Sequence, residues 1–385
     1  MQRIVNTDMD NQTEHQRFAG PDVLKGFVIF AIVMVHIVLN AGPGIGGSEP
    51  ALILQILYLG LMAYFIYSGY FYKEGTGFKY NMKKRVSQIL IALILCAVII
   101  PLILFVWLLI LGYPMDFYDL GRGILSGLDL NNAFMPFGSQ SYYPYCSGAV
   151  GYYFLWVMLF AFVIFYGIIE AVLDDIKKII AVIVALLLIQ SALCYFLTFK
   201  LPFTFELVPI AASFMFLGAL MRKYDLIAQI ESLELRNKRY WMPFIVCLVV
   251  GVVLCLIVHP GLRFDKMTFG SIGPLSTFTY IIEAGCMCVV YMYIATFISK
   301  IPVLSKALEI CGQHTMGVLL YHGSIATAIF ALLTPLSHES WFPTLPMTTR
   351  AIIGIVTFVL CILICMYGPK LVGRLRKKDA DTVSS

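Results

Sequence analysis

Runs of about twenty apolar residues recur ten times along this chain, and a run of that length is what an α-helix needs to cross the hydrocarbon core of a bilayer. In lipid every backbone amide and carbonyl must find its partner within the protein. That requirement leaves only helices and closed barrels, and continuous apolar runs are the helical pattern. The runs lie at 23–40, 51–72, 87–111, 148–169, 178–198, 205–221, 241–259, 274–298, 314–334 and 349–367. Of the 385 residues 60% are hydrophobic and only 13% charged, about half the charged share of a soluble domain. The expectation is an all-α integral membrane protein of about ten transmembrane helices. Residues 1–22 form a polar tail, 23–367 the membrane domain and 368–385 a basic tail, with one long loop at 112–147.

An even number of spans places both termini on one side, and the basic residues decide which. Twenty-one of the 27 Lys and Arg fall on the side of the termini, in the two tails and at 73–86, 170–178, 222–240 and 299–313. Five fall in the opposite loops, and Lys25 lies inside the first span. Cytosolic loops of membrane proteins carry that excess, so both termini are expected in the cytosol, with 112–147 outside. The net charge of +5 then follows from loops facing anionic lipid and calls for no nucleic acid. The first residues lack a basic start followed by a short apolar core, so no cleaved signal peptide is expected. Nine of the ten cysteines lie in or beside spans, at spacings that suggest neither a disulfide framework nor a metal site. The aromatic run 142–145 in the long loop reads as an interfacial belt or as a platform for sugar rings.

Lys25 and His36 are residues that a membrane helix normally excludes. Eleven positions apart, they share one helix face about 16 Å apart along the axis, with Asp22 and Asn40 near the same face. A charge at membrane depth costs at least about 2.5–3.5 kcal/mol, so it faces a cavity or a partner and marks function. Glu283, about ten residues into the eighth run, reaches a similar depth to His36. On physics alone Lys25, His36 and Glu283 suit two roles: acid–base work at a catalytic centre, or proton relay in a secondary transporter or glycan exporter. The absence of a visible internal repeat argues mildly against the transporter.

Five ordered segments resemble the membrane-bound acyltransferase 3 family. They are Arg17 through Asp22, Lys25-Gly26 and His36, similar to the family's Arg/Lys-x10-His opening; YFIYSGYFYKEG at 64–75 with Lys83, Lys84 and Arg85 after it; GYYFLW at 151–156; FMFLGALMRK at 214–223; and CGQHTMGVLLYH at 311–322. The chain departs from the common pattern at Lys25, where Arg is usual, at Gln88 in place of a second Arg, and at Gly151 where His is often found. The heparan-glucosaminide N-acetyltransferase-like proteins open similarly and form a sibling group.

The resemblance implies O-acylation in the plasma membrane, with acetyl-CoA as donor in the cytosol and a glycan or other hydroxyl acceptor presented from outside. His36 would then act as general base or as transient acyl carrier. Glu283 would orient it or accept a hydroxyl proton, and no metal is implied. Lys25, Lys84, Arg85 and Arg222 would hold the CoA phosphates or polarise the thioester, Arg85 foremost because it also matches a family position. His322 carries a family echo without a decided role.

Overall fold

The computed structural model describes residues 19–39, 56–57, 59–130, 133–136, 152–232, 238–258, 275–333 and 345–383. Asn40, Cys146 and the aromatic run 142–145 lie outside the described residues. The elements are α1 (Ala19–Met34), prolonged by a π-helical stretch Val35–Leu39; α2 (Met62–Tyr70); α3 (Phe78–Arg85), continued through a second π-helical stretch Val86–Leu90 into α4 (Ile91–Ile110); and α5 (Phe117–Gly127). Then come α6 (Tyr152–Val172), α7 (Ile176–Phe196), a 3-10 turn Pro202–Leu207, α8 (Val208–Lys223), α9 (Leu226–Ser232) and α10 (Lys238–Val253) with a π-helical stretch Leu254–Val258. The series ends with α11 (Ser276–Ser299), α12 (Pro302–Gln313), α13 (Thr315–Leu333) and α14 (Met347–Val383).

Among the described residues the protein is helical without a β-strand, and eight helices are long and apolar enough to cross a membrane. Among the described residues two of the ten expected spans do not reach that length. The seventh appears as the shorter apolar helix Trp241–Leu256, and the second, of which 51–55 and 58 lie outside the described residues, includes the nine residues of α2. Several segments read as loops are helical: Phe78–Arg85 runs without a break into the third span, and α5, α9 and α12 are short helices of mixed polarity. Averaged hydropathy passes over such helices because their apolar stripe is diluted by the polar face. Local signals do mark one of them, since Asp116 and Asp119 close a reciprocal capping box at the start of α5.

The helix that carries the polar stripe is the most enclosed of the eight. In α1, 78% of the spanning window is buried inside the protein, against 39% for Phe78–Ile110 and 28% for α14, which form the periphery. α1 packs on α12, α11, α13 and α14, while α2 lies against α8, and α8 against α6 and α7. Two crossings are backed by glycine on both sides. A Cβ at Gly26 would lie 2.0 Å from the Leu308 carbonyl oxygen, and one at Gly312 would lie 1.9 Å from that of Asp22. Likewise a Cβ at Gly69 would come within 1.8 Å of the Met215 oxygen, and one at Gly218 within 1.9 Å of the Ile66 oxygen. Backbones approach this closely only where the side chain is a hydrogen. The start of α1 is fixed by Glu231 of α9, whose carboxylate accepts the Gly20 amide at 3.2 Å and so complements the positive end of the helix.

At the end of the bundle opposite the basic loops, Asp129, Phe203 and Thr204 have φ of 57°, 60° and 50°. Two bonds hold this left-handed corner: the Thr204 hydroxyl donates to Asp129 Oδ2 at 2.6 Å, and the Phe203 amide donates to the Asp129 carbonyl at 3.3 Å. Desolvation pushes the Asp129 carboxyl up to about 7, against the pull of Thr204. An acid raised above its unfolded value stabilises the fold in its protonated form. That contribution is complete below 3.8 and is lost as the pH rises through about 7. Asp129→Asn removes the titration, so thermal unfolding between about pH 5 and about pH 8 should show the wild-type midpoint falling relative to the variant. A constant offset between the two proteins over that range would refute it.

Candidate functional site

His36 sits in the π-helical stretch that ends α1, where one extra residue per turn re-aims the side chains. Its Nδ1 lies 2.9 Å from Nε2 of His322 on α13, and both side chains are buried. Nδ1 of His322 in turn faces two carbonyl oxygens of its own helix, Val318 at 3.1 Å and Leu319 at 3.0 Å. Tyr152, at the start of α6, braces α13 at this level by donating its hydroxyl to the Leu320 carbonyl at 2.7 Å.

A cleft of about 410 Å³ lies below the His pair, lined from α1 by Ile29 and Ile32, from α2 by Tyr64 and from α13 by Thr315, Met316 and Leu319. Ile29 and Ile32 fall between Lys25 and His36 on the single face that the eleven-residue spacing defines. Leu319 stands one turn before His322 in the same way. That face therefore meets the cleft through Ile29 and Ile32, while Lys25, His36 and His322 are not themselves among the residues that line it. Phe154, Leu155 and Met158 of α6 form a further wall, and Arg85, Gln88 and Ile89 lie at the basic end.

Arg85 is the best-held cation of this set. Its Nε donates to the Tyr166 hydroxyl at 3.0 Å, and its guanidinium lies 4.5 Å from the centroid of the Phe162 ring. With Nε engaged, the terminal amino groups form the fork suited to a phosphate. Tyr166 and Phe162 stand one turn apart on α6. In the sequence they read only as apolar bulk of a spanning run, which is why sequence reasoning missed them.

Lys25 pairs with Asp22 at 2.8 Å, with 30% and 12% of the two side chains exposed. Tyr64 ties α2 to this turn by donating its hydroxyl to the Lys25 carbonyl at 3.0 Å. Lys84 is exposed next to Arg85, but it is not among the residues lining the cleft. Arg222 reaches Glu74 at 3.9 Å across half-exposed surface, a pair worth little by itself. Ser68 donates to the Tyr64 carbonyl of its own helix at 2.7 Å, and its neighbour Gly69 serves the crossing with α8.

Glu283 is fully buried in α11 beside Cys255, which belongs to the π-helical stretch after α10. α11 runs antiparallel to α1, with Thr296 near Gly20 and the ring of Tyr291 6.4 Å from that of Phe27. Continued by about 12–14 Å in that register, Glu283 comes to the depth of His36. The ring partner that the structure gives His36 is nonetheless His322, which sequence reasoning had left without a role.

Over residues 18–366 the chain matches the model of a family described as an acyltransferase domain. The chain belongs to the acyltransferase 3 family. Nine-tenths of its length is covered, so membership extends to every helix that builds the site, from α1 with Lys25 and His36 to most of α14. No curated protein and no solved structure gives a match. As a member of the family the protein is a membrane acyltransferase. Four of its motif glycines, Gly26, Gly69, Gly218 and Gly312, occupy the two close crossings described above.

Proposed function

We propose that this acyltransferase carries an acyl group, acetyl on the family resemblance, from acyl-CoA on the cytosolic side of the plasma membrane to a hydroxyl of a glycan or related cell-surface acceptor. The observation that carries the reading is the cleft between Arg85 and the level of the His36–His322 pair. Along α6, the distance from Tyr166, which holds Arg85, to Tyr152, which braces α13 beside His322, is fourteen residues or about 21 Å. A phosphopantetheine arm bridges such a distance, and a bare acetyl group does not. Arg85, with Gln88 also in the cleft lining, would receive the phosphates, while the apolar walls would receive the arm. Lys25, whose carbonyl accepts from the cleft residue Tyr64, would add positive charge.

The chemistry then balances without a further reactant. His36 takes the proton of the acceptor hydroxyl as its oxygen attacks the thioester carbonyl. The carbon–sulfur bond breaks, and the departing thiolate recovers that proton from the imidazolium. In the alternative order His36 attacks the thioester first, and the carbon–sulfur bond breaks to release the CoA thiolate. The acceptor hydroxyl then takes the acyl group from the ring while its proton goes to that thiolate. Glu283, at the same depth, would orient the His36 ring or itself accept a hydroxyl proton.

Binding of acetyl-CoA to the protein in lipid nanodiscs tests the donor. Saturable binding is expected, weakened about tenfold or more by Arg85→Ala through loss of a charge-assisted fork and less by Lys25→Ala. Lys84→Ala, on the exposed neighbour, should change it little. Absence of binding to a folded, monodisperse sample would remove the donor assignment and favour the reading of Lys25, His36 and Glu283 as a proton relay in a transporter.

A further inference from the structure

We propose that His322 is a positioning residue that locks the His36 ring in the tautomer whose lone pair is on Nε2, making Nε2 the atom that receives the proton or the acyl group. The inference rests on the proposed transfer reaction and adds to it the identity of the reacting atom and the device that fixes it.

The argument begins at the backbone. Nδ1 of His322 lies 3.1 Å from the Val318 oxygen and 3.0 Å from the Leu319 oxygen. Carbonyl oxygens only accept, so this nitrogen carries the hydrogen. In a neutral ring the lone pair is then on Nε2 of His322, which lies 2.9 Å from Nδ1 of His36. A lone pair at that distance requires a donor, and Nδ1 of His36 must therefore be protonated. The remaining nitrogen of His36, Nε2, holds its lone pair.

The ring geometry agrees. The two imidazoles are only 13° from parallel, and their centroids are 5.2 Å apart. A contact of 2.9 Å between the facing nitrogens plus one ring radius at each side accounts for nearly all of that separation. The rings thus lie edge to edge, close to coplanar, in the arrangement of a linear hydrogen bond rather than face to face. The other assignments cost more. A hydrogen on neither facing nitrogen sets two lone pairs against each other in a buried site. A doubly protonated His322 puts a cation on a side chain that is 0% exposed, at membrane depth.

The device replaces the carboxylate of a Ser–His–Asp arrangement by a neutral ring anchored on helix carbonyls. It performs the same orienting task, since an acceptor at Nδ1 of the base selects the reactive tautomer. It adds no buried anion, which suits a site surrounded by apolar helices. When Nε2 of His36 takes a proton, the Nδ1–H bond to His322 strengthens and shares the positive charge.

The experiment pairs kinetics with a spectroscopic readout on the full-length protein in nanodiscs. Three proteins are compared: wild type, His322→Leu and His322→Gln, the amide oxygen of Gln being able to accept from Nδ1 of His36. In protein labelled with 15N-histidine, the His36 resonances, assigned by their loss in His36→Asn, are expected to report the Nδ1–H tautomer in wild type. In His322→Leu they should move to a mixture or to the Nε2–H form. Turnover with acetyl-CoA should fall about 10²–10⁴-fold in His322→Leu with acetyl-CoA binding unchanged, and His322→Gln should recover to within about tenfold of wild type. An unchanged His36 tautomer in His322→Leu, full turnover in that variant, or a Gln variant as impaired as the Leu variant would each overturn the proposal. Failure of the transfer reading itself looks different: wild type would neither bind nor turn over acetyl-CoA, while the nitrogen spectrum would still report the tautomer.

Discussion

Replacing His36 by Ala is expected to lower acyl transfer by about 10²–10⁴-fold or to abolish it, while membrane insertion and donor binding persist. The separation of the two effects follows from the cleft. Arg85, at its basic end, is held by Tyr166 and Phe162 of α6, and His36 makes no part of that anchorage. On the proposed mechanism, removing the imidazole deletes the atom that receives the hydroxyl proton or the acyl group but leaves the walls of Ile29, Ile32, Phe154 and Leu319 in place. The measurement is turnover beside equilibrium binding of acetyl-CoA in the same nanodisc preparation. Normal turnover in His36→Ala would eliminate His36 as base and as carrier together. Rapid quenching of wild type with labelled acetyl-CoA, in the absence of acceptor, then separates the two routes. Label on the protein that His36→Ala loses identifies a carrier, and an unlabelled protein with full turnover identifies a base.

Much of this site could be read from spacing, and the part that could not depends on contacts distant in sequence. The eleven residues between Lys25 and His36 fix a common face because a single helix has one period, and the structure lines that face with Ile29 and Ile32 along a cavity. Arg85 stood out as a basic residue entering a span. Its aromatic clamp did not, because Phe162 and Tyr166 resemble any other apolar residues of a lipid-spanning run. The pairing of His36 with His322 crosses 286 positions. No periodicity within α1 or α13 encodes it. It arises from how α1, α12 and α13 meet, and that geometry is set by backbone approach at Gly26 and Gly312. The amphipathic α5 and α12 escaped hydropathy for the opposite reason, since their polar residues cancel the apolar signal that a window averages.

The largest effect on folding is expected at the glycine crossings, where Gly312→Val or Gly218→Val should prevent accumulation of a monodisperse protein. At Gly312 even the first added carbon would lie 1.9 Å from the Asp22 oxygen and 2.8 Å from its carbonyl carbon, both backbone atoms that no rotamer change can move. Relief requires α1 and α12 to separate by more than an ångström. That separation would strip packing from the most buried helix of the bundle and loosen the turn that carries Lys25. Overpacking a close-fitted core by one or two methyl groups costs about 1–3 kcal/mol when side chains can yield, and more when the obstacle is backbone. Gly218 repeats the situation with 1.9 Å to the Ile66 oxygen, at the crossing that seats α2 on α8. Two other helical glycines supply the contrast. Gly121 in α5 and Gly167 in α6 have nothing within 4 Å of an added Cβ, so Ala there should be neutral or stabilise by up to about 1 kcal/mol through helix propensity. Size-exclusion profiles and thermal midpoints of the four variants in one detergent give the comparison. A Gly312 or Gly218 variant as stable as the Gly121 and Gly167 controls would mean that the helices can separate without loss, and that these motif glycines are there for something other than close packing.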